Sequence, residues 1–129
     1  MSKRGWIPLK LKHVIASLPC VVCGVPFDIR VDHIIPVACG GGNEPENLQP
    51  LCRGCNYTKK GKRIDNDELT RMIFNKGRDH FRDAVFVYET RFCNPYDRLS
   101  YSTWIHENKE PREYADSLYE RFIESIGEK

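Results

Sequence analysis

Nowhere in the chain do about 18 apolar residues run together, so no segment has the composition of a membrane-spanning helix. The opening residues, Met1-Ser2-Lys3-Arg4-Gly5-Trp6, carry none of the continuous apolar stretch of a secretory leader, and a cytosolic chain with no membrane partner is the expectation. Cysteine is used sparingly and unevenly. Four of the six cysteines fall into Cys-x-x-Cys pairs, while Cys39 and Cys93 stand alone as ordinary thiols. That pattern fits metal binding in a reducing compartment better than a disulfide framework. His80 and His106 have no ligand partner at metal spacing, which leaves both outside any site. The length of 129 residues allows one domain with a modest core, and nothing suggests two full domains.

What the chain does have is concentrated between Cys20 and Lys60. Cys20 with Cys23, and Cys52 with Cys55, can each offer two thiolates to one tetrahedral ion, the usual arrangement of a zinc knuckle pair. Four thiolates close the shell of a Zn2+ ion and leave no position for water or substrate, so this zinc is structural. Chemistry must then lie between Cys23 and Cys52 or just beyond, where Asp32 and His33 stand.

Taken in order, residues 1–19 read as a basic arm. Lys3, Arg4, Lys10 and Lys12 alternate with Trp6, Ile7, Leu9 and Leu11, Pro8 argues against an unbroken helix, and a short apolar stretch from His13, a packing helix or turn, is ended by Pro19. Such an arm either touches a polyanion backbone or is a terminus whose lysines face water. After the first knuckle, Ile29 to Ile35 is rich in β-branched residues and reads as a strand ended by Pro36. Regular alternation puts Asp32 and His33 on opposite faces, so both reach one site only where the strand ends or bends. Gly40 to Glu46 reads as a flexible turn, closed by Asn47, whose amide can bond across the loop and fix the backbone around His33. Leu48 to Leu51 forms a second strand, kept short or at an edge by Pro50. The second knuckle opens into a helix that Gly61 stops. Asn56 stands at the start of this helix and Lys59 follows on the same face. Lys59, Lys60, Lys62 and Arg63 form a basic cluster that either contacts phosphate or is a solvated face.

Beyond residue 64 the period becomes helical. Asp65 or Asn66 can cap a helix over residues 67–74. A second, roughly Asp79 to Phe92 and stopped by Asn94-Pro95, sets Phe81, Val85, Tyr88 and Phe92 along one stripe. A third begins near Pro111 with Tyr114, Ala115, Leu118, Phe122 and Ile126. These stripes, and Trp104, are read as packing faces. The fold class is therefore α+β, with a strand–strand–helix core at 20–63 and a helical extension at 64–129.

Cys20-Val-Val-Cys23, Val31-Asp32-His33-Ile34-Ile35-Pro36, Gly40-Gly41-Gly42, Asn47-Leu48-Gln49-Pro50-Leu51-Cys52 and Cys55-Asn56-Tyr57-Thr58-Lys59 occur in one order at close spacing. This arrangement resembles the HNH endonucleases of the ββα-metal class, over about forty residues. The resemblance implies a metal-dependent DNA endonuclease that leaves 5′-phosphate and 3′-hydroxyl ends. It implies His33 as general base, Asp32 as ligand of a catalytic ion, Asn47 as the brace of the loop, and Asn56 as a further ligand and member of the catalytic set. Many relatives carry histidine where this chain has Asn56. One carboxylate and one amide are few ligands, an arrangement that suits Mg2+ or Mn2+ with phosphate oxygens and waters completing the shell, and affinity for that ion without DNA should be weak.

Charge divides in the same place as the motifs. Residues 1–63 carry 10 Lys and Arg against 4 Asp and Glu, while residues 64–129 carry 10 against 14. A positive segment around the candidate site favours a polyanion such as DNA, and the acidic remainder resembles a solvated helical surface without a basic face to enter a groove. Two other readings accommodate the same residues. One is a zinc-knuckle DNA-binding protein that does not cleave. The other is an accessory subunit whose acidic helices bind a protein partner such as a viral packaging terminase, in which case the setting is a phage and the location the bacterial host cytoplasm.

Overall fold

A computed structural model of the chain describes residues 7–91 and 101–127. The expected contributions of Lys3, Arg4, Trp6, Phe92, Cys93 and the Asn94-Pro95 stop lie outside these residues. Two antiparallel strands and six α-helices are present among the described residues, a mixed α+β architecture. None of these helices is long and apolar enough to cross a membrane. Packing divides the chain into two compact units, Met1–Met72 and Ile73–Lys129.

In the first unit, α1 (Leu9–Ala16) includes part of the packing helix or turn expected from His13 and begins earlier, at Leu9, within the stretch read as a basic arm. Pro8 does not break it because it sits at the N-cap, with φ −54°, where its missing N–H is no loss. The knuckle loop follows and leads into β1 (Ile29–His33), which pairs antiparallel with β2 (Leu48–Cys52). The register sets Asp32 opposite Gln49 and His33 opposite Leu48. β1 ends at His33, two residues before the expected stop, because Ile34 N donates to Asn47 O and Ile35 N to the Asn47 side chain, which turns the chain out of the sheet. Pro50 is accommodated opposite Val31. It offers no N–H, and its carbonyl accepts from Val21 N of the knuckle at 3.0 Å.

Two short 3-10 turns, Val37–Cys39 and Pro45–Asn47, give the strand connection more order than a flexible glycine turn. Gly41 is required there, since a Cβ would lie 1.7 Å from Ile35 O and 2.8 Å from Asn47 Nδ2. Directly after β2 the chain enters α2 (Arg53–Lys59), which packs against both strands and completes the strand–strand–helix unit. Lys60 takes the left-handed cap position at φ 47°, and Gly61 continues the turn at φ 71°. α3 (Asn66–Lys76) is capped by Asp65, whose Oδ1 accepts from Glu68 N at 2.8 Å. The boundary between the compact units falls within α3, between Met72 and Ile73.

The second unit is helical. α4 (Arg78–Thr90) and α6 (Lys109–Ile126) pack together along Phe81, Val85, Ala115, Leu118 and Phe122, all buried. Bidentate bonds from Arg82 to Asp116 at 2.9 and 2.8 Å join the same two helices. Tyr88 and Tyr114, expected in the apolar stripes, are 43% and 41% exposed. Each lies at the edge of its stripe, where the helix surface turns outward. α5 (Tyr101–Glu107) is a helix that the sequence does not announce. It places Tyr101 and Trp104 against Phe86, with ring centroids 5.5 and 5.4 Å away, so Trp104 packs.

Candidate metal and catalytic site

The sulfurs of Cys20, Cys23, Cys52 and Cys55 all lie within 4.8 Å of one another, and all four residues are buried. A Zn–S distance of about 2.3 Å in a tetrahedron sets sulfurs about 3.8 Å apart, so the cluster fits one zinc ion. Local folding brings each pair together. Cys20 Sγ accepts from Cys23 N at 3.5 Å, and Cys52 caps α2 by accepting from Cys55 N at 3.4 Å. Packed so closely, the thiols cannot all ionise unaided. Hydrogen bonding from Cys23 pulls Cys20 below its ordinary value, while Cys23 and Cys55 are pushed far above theirs, first by their bonds with Cys20. A dication bound there would supply the missing charge, and its binding would release protons.

Above this cluster the end of β1 divides two environments, as alternation requires. His33 is half-buried, and its Nε2 lies 2.7 Å from Asn43 Oδ1 on the strand connection. An amide oxygen only accepts, so Nε2 carries the hydrogen and Nδ1 is the ring's basic atom. Asn47 is buried and uses both ends of its amide. Oδ1 accepts from Ile35 N at 2.8 Å, and Nδ2 donates to Ile35 O at 3.0 Å and Gly42 O at 2.8 Å. These three bonds tie the chain leaving His33 to the glycine turn that leads to Asn43.

Asp32 points the other way and is 8% exposed. Its Oδ2 accepts from Lys59 Nζ at 2.5 Å and from Gln49 Nε2 at 3.1 Å. Gln49 is held in turn by Asn66 of α3, accepting from Nδ2 at 2.8 Å and donating to Oδ1 at 3.2 Å. The phosphate contact expected of Lys59 from sequence is corrected by these bonds. Lys59 is 1% exposed and cannot reach phosphate from the surface. Its position in the last turn of α2 faces the strands, where a buried carboxylate demands a cation. The same pair bears on the catalytic ion. With Oδ2 engaged by an ammonium and an amide, a divalent ion does not fit onto that oxygen as the residues stand.

Asn56 is half-buried on α2, one turn before Lys59 and on the same face. Lys60, Lys62 and Arg63 are exposed. Arg53 and Tyr57 share the exposed side of α2 with Lys60, at i, i+4 and i+7, and Lys60 Nζ sits 4.5 Å from the Tyr57 ring centroid. Helical spacing alone is enough to find that trio, although the basic run beside it draws the eye first. Asn43, Gln49 and Asn66 escape a sequence reading because their partners are distant along the chain, with no local pattern to mark them.

Residues 20–63, about a third of the chain, match the family model described as HNH endonuclease. No curated protein and no solved structure matches the chain.

Proposed function

We propose that the chain, which carries an HNH endonuclease domain at residues 20–63, hydrolyses phosphodiester bonds in DNA, with His33 as general base. The observation that carries this reading is the anchoring of His33, with Nε2 tied to Asn43 and the following backbone braced by Asn47. An imidazole so held keeps one tautomer and one orientation, as a positioned base requires. Nδ1 takes a proton from water, the water oxygen bonds to phosphorus, and the bond to O3′ breaks. O3′ gains a proton from solvent, leaving a 3′-hydroxyl and a 5′-phosphate. Asn47 holds the loop, and Cys20, Cys23, Cys52 and Cys55 would hold a zinc ion that fixes the knuckles at the ends of the strand pair.

A divalent ion, Mg2+ or Mn2+, is implied by the family at Asp32 and Asn56 and would supply positive charge to the phosphate. Engagement of Asp32 by Lys59 opposes it in the free protein. Lys60, Lys62 and Arg63 supply phosphate contacts that orient the duplex without reading its bases.

The test is cleavage of plasmid with Mg2+ or Mn2+ by the parent and by His33→Ala. The variant should lose roughly 10²–10⁴-fold in rate while keeping its zinc and its DNA affinity. A parent that binds DNA and never cuts it would leave the non-cleaving zinc-knuckle protein as the better reading.

A further inference from the structure

We infer that Lys59 is a built-in cation at Asp32, and that a divalent ion reaches Oδ2 only by displacing the Lys59 ammonium. An ammonium has three hydrogens to donate, and here all three have acceptors. Asp32 Oδ2 lies at 2.5 Å, His33 O at 2.8 Å and Ile34 O at 3.2 Å. The side chain is 1% exposed, so no water screens its charge from the carboxylate. All three acceptors belong to the residues where β1 ends. Lys59 therefore neutralises Asp32 and also clamps the strand exit that carries His33.

A divalent ion at the same carboxylate would meet the positive charge of Lys59, which is 1% exposed and little screened by water, so repulsion is strong. The two cations exclude each other at Oδ2. Lysine can yield because its four-carbon stem lets the ammonium swing away. The free protein then binds the ion weakly. That the ion serves cleavage rests on the nuclease reading, but the competition at Asp32 is measurable without it.

The experiment measures Mn2+ binding to the zinc-loaded full chain by the electron paramagnetic resonance of free Mn2+. It compares the parent, Lys59→Met and Asp32→Asn. Lys59→Met should bind Mn2+ at least tenfold more tightly than the parent, and Asp32→Asn should abolish that binding. Without Mn2+, Lys59→Met should melt below the parent, because its carboxylate is buried without a cation, and Mn2+ should restore the loss. Equal or weaker Mn2+ binding in Lys59→Met with intact zinc content overturns the inference. If that variant does not fold, nuclear magnetic resonance of the Lys59 ammonium in the parent decides. Loss of its protected signal as Mg2+ is added supports displacement, and its persistence at every Mg2+ concentration overturns it. Tighter Mn2+ binding in Lys59→Met alongside a parent inert on every DNA would keep the competition and remove the nuclease. Cleavage by the parent with unchanged Mn2+ affinity in Lys59→Met would do the reverse.

Discussion

The Met1–Met72 unit and the Ile73–Lys129 unit fill their interiors by different means. In the second, the buried side chains are Ile73, Phe81, Val85, Ile105, Ala115, Leu118 and Phe122, with His80 and Thr90 as the buried polar residues among those described. In the first, four cysteines and five polar residues, Asp32, Asn43, Asn47, Gln49 and Lys59, are buried beside Ile15, Val25, Leu48, Leu51 and Leu69. A polar interior orients groups, since each hydrogen bond fixes a direction, but it contributes little net stability once desolvation is counted. The unit that carries the four-cysteine cluster is therefore expected to rely on a metal, while the helical unit relies on apolar area.

The largest expected effect follows from that dependence. Zinc binding in small zinc-folded modules has an apparent free energy of about 10–16 kcal/mol at neutral pH, comparable with the whole stability of a domain. Cys52→Ser removes one thiolate and the cap of α2 together. It should abolish zinc by elemental analysis and erase amide-exchange protection over residues 20–63, while α4 and α6 stay protected. Retained zinc with unchanged protection would show that the first unit stands without its metal.

The reciprocal change strikes the apolar interior. Phe122 is buried and its ring lies 5.5 Å from that of Phe81. Phe122→Ala should cost about 3–5 kcal/mol, read as a lower denaturant midpoint and weaker protection in α4 and α6. Zinc should remain at one per chain. If Phe122→Ala also releases zinc, the two units unfold as one block and their contrast is only compositional.

How much of this is legible in the sequence differs between the same two regions. The cysteine pairs, the Asp32-His33 step and the helix opening at Cys52 can be read because each depends on spacing within a few residues, and Asn47 because it closes a glycine turn although its partner Ile35 lies further off. The stripe of α6 is legible for the same reason, since Ala115, Leu118 and Phe122 keep helical period. Lys59 misleads because Lys59, Lys60, Lys62 and Arg63 look like one surface run. Helical phase turns Lys59 inward and Lys60 outward, and only the carboxylate opposite reveals why. Gln49 and Asn66 meet across the fold, and α5 is a short helix whose packing on Phe86 no period announces.

The smallest expected effect on stability is also the one that tests the charge contrast between the units. Residues 1–72 hold 11 Lys and Arg against 7 Asp and Glu, and residues 73–129 hold 9 against 11. Around α2 the exposed cations are Arg53, Lys60, Lys62 and Arg63, while Lys59 is withheld from the surface. Lys60, Lys62 and Arg63 replaced together by Ala should shift stability by only about 0.5 kcal/mol per site or less, since exposed side chains contribute little. DNA binding should respond more clearly. Each phosphate that a cation no longer neutralises lowers the slope of log affinity against log salt by roughly 0.9, so the triple replacement should lower it by about 2.7. Base preference should hold, because cations at phosphate position the duplex and do not read it. Arg78→Ala combined with Lys109→Ala and Arg121→Ala, in the acidic unit, is the control matched in charge and should leave the slope as it was. An unchanged slope in the triple variant would mean that the cluster beside α2 is a solvated face. Equal reductions in the triple variant and the control would mean that DNA responds to net charge alone, and the basic character of the first unit would then say nothing about where the duplex lies.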